Sequence, residues 1–221
     1  MTSTPEARER FRYGLRAGMG FGAAAFVVGI SFGVVAEPLM GSVAPIVMSA
    51  VVFAGASQFG VTSVLASGGS AATAIATGAM LNARFLPMGV AAAVALRGSR
   101  LRRAVEGQTV VDASWALAAR GEGGFDRETL LGGTLPQYPG WVLGTVVGVV
   151  AGGALGDPES LGLDAIFPAF FLGLLAAELR RPHAVATVLI AGGIALALTP
   201  VLPAGLPVLL ASLGALVGLR R

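Results

Sequence analysis

Long apolar runs alternate along this chain with short, arginine-rich polar segments. Charge-free stretches cover residues 17–36, 38–83, 85–96, 129–156, 165–177 and 182–219. A helix that crosses a bilayer needs about 20 mostly apolar residues. The stretches 38–83 and 182–219 each have room for two crossings, and Pro200, Pro203 and Pro207 interrupt the second. The pattern predicts spans near 17–36, 43–62, 70–97, 137–156, 163–180, 184–199 and 203–219. The third is either one crossing or two half-helices broken near Asn82 and folded back as a hairpin. The expected fold is an all-α polytopic membrane protein of about seven spans.

Composition agrees. Of 221 residues, 55% are hydrophobic and 12% are charged, about half the ~25% charge of a soluble domain. A cytosolic enzyme, a disordered tail and a disulfide scaffold are all excluded. With no Cys and one His, thiolate chemistry and a multi-histidine metal site are excluded as well. No metal or cofactor is expected.

The net charge of +3 comes from arginine alone among the 15 basic residues, and these cluster at span ends. That is a topology signal and not a nucleic-acid footprint. Arg8, Arg10, Arg12 and Arg16 precede the first span, Arg97, Arg100, Arg102 and Arg103 follow the third, and Arg180, Arg181, Arg220 and Arg221 come later. By the positive-inside rule all are cytoplasmic, together with both termini, while Glu37, Asp157, Glu159 and Asp164 fall outside. This requires 70–97 to enter and leave on the same side, which favours the hairpin. The N-terminal region reads as a retained first span and not a cleaved signal. The organisation expected is a cytoplasmic segment 1–16, a first transmembrane half 17–98, a cytoplasmic or re-entrant connector 99–135 and a second transmembrane half 136–221.

The two halves carry an internal echo, so the bundle reads as internally duplicated. Gly29-Ile30-Ser31-Phe32-Gly33-Val34-Val35-Ala36 resembles Gly144-Thr145-Val146-Val147-Gly148-Val149-Val150-Ala151. Phe53-Ala54-Gly55 resembles Phe171-Leu172-Gly173, and Leu86-Pro87-Met88-Gly89 resembles Leu202-Pro203-Ala204-Gly205, at a nearly constant separation of about 116 residues. Such duplication is common in secondary transporters. The sequence leaves inverted and parallel repeats equally open. Gly14, Gly18 and Gly22 recur every four residues, as do Gly140, Gly144, Gly148, Gly152 and Gly156. Stripes of this kind let helix backbones approach closely, the alternative being a substrate-lined seam.

Polar residues inside apolar spans need a reason. Ser57 and Gln58 stand within Gly55-Ala56-Ser57-Gln58-Phe59. Either they contact a ligand, or Ser57 bonds its own helix and Gln58 a neighbour. Arg84 is the one charge between Pro38 and Leu96. Leaving it in lipid costs at least about 2.5–3.5 kcal/mol. Pro87 follows three residues later, and its ring would clash with the Ala83 carbonyl of a regular helix. A charge beside a helix break is how transporter sites are often built. Snorkelling or a structural ion pair is the alternative. Asp112 follows the arginine cluster and is a candidate counter-ion or proton carrier, or a solvated loop carboxylate. Glu178 beside Arg180 and Arg181 reads as a structural pair, and His183 as an interfacial residue. No phosphate-binding loop, zinc-protease motif or nucleophile–base pair is present, so an enzyme is not expected.

Together these residues resemble the AzlC family, the large subunit of branched-chain amino acid exporters. The strongest match is Met48-Ser49-Ala50-Val51-Val52-Phe53-Ala54-Gly55-Ala56-Ser57-Gln58-Phe59, similar to the family's signature block. Asn82-Ala83-Arg84-Phe85 resembles an Asn-Leu-Arg-His stretch, with Ala83 and Phe85 as departures. Asp112-Ala113-Ser114-Trp115-Ala116-Leu117 resembles a Thr-Asp-Glu-Ser/Thr-Phe-Ala-Leu stretch, with Ala113 in place of Glu. The resemblance implies a multi-pass protein of the bacterial inner membrane. It implies a small partner subunit of the AzlD type and export of Leu, Ile, Val and sometimes Met, driven by the proton motive force.

The substrate site is expected where Ser57 and Gln58 meet the helix broken at Asn82, Arg84 and Pro87, with Phe53 and Phe59 as apolar wall. Arg84 would hold the substrate carboxylate, Gln58 and Asn82 would add hydrogen bonds, and Asp112 is the weaker coupling candidate. The alternatives are an exporter or channel for another small solute, and a membrane scaffold that only supports a partner.

Overall fold

The computed structural model describes residues 4–120, 124–155, 162, 165, 169, 172–173, 175–176, 179–180, 184–202, 206–211 and 214. Gly156, Asp157, Glu159, Asp164, Glu178, His183 and the C-terminal arginines, with most of the expected spans 163–180 and 203–219, lie outside the described residues. Every regular element among the described residues is a helix: α1 (Pro5–Met40), α2 (Val43–Val51), α3 (Gly55–Ala66), α4 (Ala71–Asn82), α5 (Phe85–Ala92), α6 (Arg100–Gly107), α7 (Asp112–Ala118), α8 (Arg127–Leu155), α9 (Ala184–Leu198) and α10 (Leu206–Ala211). One of them, α1, is long and apolar enough by itself to cross a membrane.

The ends of α1 are written in its sequence. Thr4 caps the start, its Oγ1 accepting from the Ala7 N–H at 3.3 Å, with Pro5 in the first turn and Glu6 against the positive end of the helix dipole. At the other end Gly41, at φ 75°, turns the chain away.

The chain folds as two compact units, Met1–Phe53 with Phe85–Ile166, and Ala54–Arg84 with Phe167–Arg221. In the first unit α1 lies along α8 on a seam of glycines. The Cβ that Gly14 lacks would stand 2.5 Å from the Thr129 carbonyl, that of Gly22 2.9 Å from Pro136 O, and that of Gly29 2.6 Å from Trp141 O. From the facing side, a Cβ on Gly140 would stand 2.5 Å from Gly22 O, and Cβ atoms on Gly144 and Gly148 would collide with the carbonyls of Phe26 and Ile30. No side chain fits in this space, so Gly14, Gly18 and Gly22 of α1 and Gly140, Gly144 and Gly148 of α8 form packing surfaces.

The contacts ascend together along both helices, so α1 and α8 run parallel. Gly29 also faces Gly144 directly, 3.3 Å separating its hypothetical Cβ from the Gly144 Cα. These two residues match in the internal echo. The two echoing segments, 29–36 and 144–151, therefore pack on one another in the same direction.

Buried polar residues and exposed apolar stripes set this distribution apart from that of a soluble domain. Ser31, Ser49, Gln58 and Thr145 are fully buried, whereas Val43, Val47 and Val51, and Leu86, Val90 and Val94, form exposed apolar stripes at four-residue spacing. In water such stripes would be unusual patches. In a bilayer they are what lipid selects, with small and hydroxyl residues inside. The buried hydroxyls are satisfied: Ser49 and Thr145 share a hydrogen bond of 2.8 Å, and Thr145 donates to Trp141 O at 2.9 Å.

The connector folds tightly within the first unit. Val110, Ala118, Ala92 and Leu130 make a small core, and Trp115 donates through Nε1 to Met88 O at 3.2 Å. Two carboxylates pin it. Asp126 caps α8 by accepting from the Thr129 N–H at 2.7 Å, and it also pairs with Arg10 at 3.1 Å and with Arg120. Glu106 pairs with Arg127 and, at 2.9 Å, with Arg102. Hydrogen bonding from Arg127 outweighs burial and, with Arg102, holds the Glu106 carboxyl down at about 2.

Candidate functional site

The signature block folds as a helix break. α2 ends at Val51, Phe53 takes a left-handed φ of 45°, Ala54 is extended, and α3 starts at Gly55. A left-handed non-glycine residue costs about 1–2 kcal/mol, so something must hold it. Phe53 is buried, with its ring edge-on to Tyr138 at 5.1 Å. The carbonyls freed at the end of α2 are satisfied by side chains: Tyr138 OH donates to Ala50 O and Gln108 Nε2 to Val51 O, both at 2.8 Å. On the far side of the break, Gln58 Oε1 accepts from the Ala54 N–H at 3.2 Å. Side chains thus replace the helical bonds that the break removes, as irregular backbone away from water requires.

α3 and α4, joined by the turn 67–70, form an antiparallel hairpin in the second unit. Ser57 Oγ donates to Gly78 O at 2.9 Å, and Gly78 leaves room for Val61 and Ser57. The sequence alternative had Ser57 bonding its own helix and Gln58 a neighbour. In the structure Ser57 reaches across to α4, and Gln58 Oε1 accepts from the backbone at the start of its own helix. Sequence offers donors and acceptors, but rotamer and facing helix decide between them.

Asn82 lies one turn beyond Gly78, so the end of α4 and the start of α3 sit at the same end of the hairpin. There Asn82 Oδ1 is buried with no hydrogen-bond partner among the described residues. Helical structure stops at Ala83 and Arg84 and resumes at Phe85. Pro87 lies in the first turn of α5, where its missing N–H costs nothing, and its ring is spared the Ala83 carbonyl because the chain is not helical there. Arg84 is half-buried, and so is Phe59 on α3.

Ser57, Gln58, Phe59, Asn82 and Arg84 thus belong to one unit. Phe53, Pro87 and Asp112 belong to the other, where Asp112 opens α7. Both boundaries between units in this region, Phe53/Ala54 and Arg84/Phe85, fall on helix breaks. Sequence reasoning passed over Glu106, Asp126, Gln108 and Tyr138. The visible signal was Asp126-Arg127-Glu128, an acidic cap followed by a long apolar run.

These features define a helical membrane protein with interrupted helices, packed through glycine. The AzlC protein family model matches residues 20–155. The chain belongs to the AzlC family, which is a membrane transport family and not an enzyme family. A relative, the inner membrane protein YgaZ of Escherichia coli (strain K12), is 29% identical over 146 residues, which cover 60% of this chain and 58% of that protein. The match thus spans less than two thirds of the relative's length. No solved structure matches the chain.

Proposed function

We propose that this protein is the large subunit of a two-component exporter of branched-chain amino acids, with a small membrane subunit of the AzlD type as partner. Family membership supports transport. The observation that carries the site is the buried Oδ1 of Asn82, without a hydrogen-bond partner among the described residues, at the interrupted end of the α3–α4 hairpin. A buried acceptor without a donor calls for one, and an amino acid's ammonium group is such a donor. The start of α3 offers backbone N–H groups and the positive end of a helix dipole to the carboxylate, and Arg84 adds a fork of donors that can engage both carboxylate oxygens. Phe59 supplies apolar wall for the aliphatic side chain.

Coupling is to the proton motive force. Asp112 is the residue on which coupling would rest. The chain passes between its two compact units at the helix breaks, where a transporter of this construction would bend. The orientation proposed puts both termini and the 97–103 loop in the cytoplasm of a multi-pass inner-membrane protein. Arginines from the start of α1 and from that loop line one cavity, which fits their lying on one side.

Efflux of radiolabelled Leu, Ile and Val tests the reading, measured in cells that express both chains, either chain alone, or neither. Efflux that needs both chains is the expected result. Efflux equal to the empty control, with both chains present in the membrane, would overturn it.

A further inference from the structure

In the first unit the start of α1, the 97–98 loop, the start of α6 and the start of α8 enclose a cavity of about 750 Å³. Arg8, Arg10, Arg12, Arg97, Arg102 and Arg127 line it, against Glu128 as the lining carboxylate. The nearby acids are already committed, Asp126 to Arg10 and Arg120, and Glu106 to Arg102 and Arg127. Arg12 and Arg97 have no ion-pair partner among the described residues. Topology alone asks only that arginines lie on one side of the membrane. It does not require segments this far apart in the chain to bring arginines together around one cavity.

We propose that this cavity binds a phosphate group, either the headgroup of an anionic phospholipid or a soluble phosphate. Guanidinium forks match phosphate oxygens in pairs, and a bound anion relieves the repulsion among these arginines. Phe11 and Leu131 give the cavity an apolar wall. Arg12 precedes the apolar run 17–36 by less than two helical turns, the depth at which headgroups lie. The site is independent of which solute the protein moves.

The test uses the full chain, an Arg12→Gln/Arg97→Gln variant, and an Arg16→Gln/Arg103→Gln control that removes equal charge at the same end but outside the cavity. In one arm the proteins are reconstituted with phosphatidylglycerol and phosphatidylcholine, and retained lipid is counted by native mass spectrometry. In the other, inorganic phosphate is titrated against the delipidated chain and the melting temperature is read. A lipid occupant predicts preferential retention of phosphatidylglycerol by the parent and the control, weakened about fivefold per arginine in the cavity variant. A soluble occupant predicts no lipid preference, and a phosphate-dependent rise in melting temperature that the cavity variant alone loses. Equal loss in cavity variant and control would mean diffuse attraction and would overturn the proposal. So would the absence of a response in both arms.

Discussion

The α1–α8 seam and the α3–α4 hairpin are both close helix pairs built on small residues, yet they differ in what fills the contact. Along the seam, backbone meets backbone: Gly14, Gly22 and Gly29 face the carbonyls of Thr129, Pro136 and Trp141. In the hairpin, side chains enter. Leu81 packs into the space at Gly60, Ser57 bonds Gly78 O, and Asn82 has a buried oxygen with no partner among the described residues. A contact made of carbonyls and Cα atoms has no chemistry left to offer and serves packing. A contact that contains an unmatched acceptor beside a helix break has kept capacity for a ligand.

The comparison breaks most directly at Gly144. Replacing it by Leu drives a side chain into the Phe26 carbonyl, at a cost of about 3 kcal/mol or more. The expected outcome is loss of the monodisperse peak on size-exclusion chromatography. Normal yield with lost export would make the seam a substrate path instead. In the hairpin the opposite pattern is expected. Arg84→Gln should insert and fold normally but reduce export about 10–100-fold, the value of a charged hydrogen bond or two. Arg84→Lys, which keeps charge without the fork, should recover only part of it. Normal export by Arg84→Gln at normal expression would remove the proposed anchor.

Glu106 tests whether the seam depends on its pinned end. Its carboxyl titrates near 2 when folded, below the ordinary 4.5. Its stabilisation is therefore present above about pH 4.5 and lost as pH falls from there toward 2, by about 1–3 kcal/mol. The melting temperature of the parent should be insensitive to this group above pH 5 and fall below it. Glu106→Gln should start lower and lack that part of the acid response.

Asn82→Leu removes a buried acceptor with no partner among the described residues. It should leave the melting temperature unchanged or higher, while weakening the apparent affinity for exported substrate by about 5–10-fold. A large fall in melting temperature would recast Asn82 as a packing residue. The smallest effect belongs to Gly152. A Cβ there would meet Val34 at an ordinary 3.5 Å, so Gly152→Ala should be neutral or up to about 1 kcal/mol stabilising, although Gly152 continues the same stripe.

Much of this protein is written locally. Apolar runs, the Thr4-Pro5 start of α1, the four-residue glycine period and the proline beside Arg84 each depend on near neighbours in the chain, so each could be read in the sequence. Four-residue spacing places glycines on one face because a helix has 3.6 residues per turn. It does not say which helix lies opposite. The tertiary structure decided that α1 meets α8 in parallel, and that Gly152 falls beyond the tight part of the seam. It also decided the partners of polar groups. Ser57 bonds the facing helix and not its own, and Tyr138 and Gln108, remote in sequence, satisfy the carbonyls freed at the end of α2. Periodicity is a property of one segment, but a hydrogen bond or a backbone contact needs a second segment, and its position comes from the packing of the whole unit.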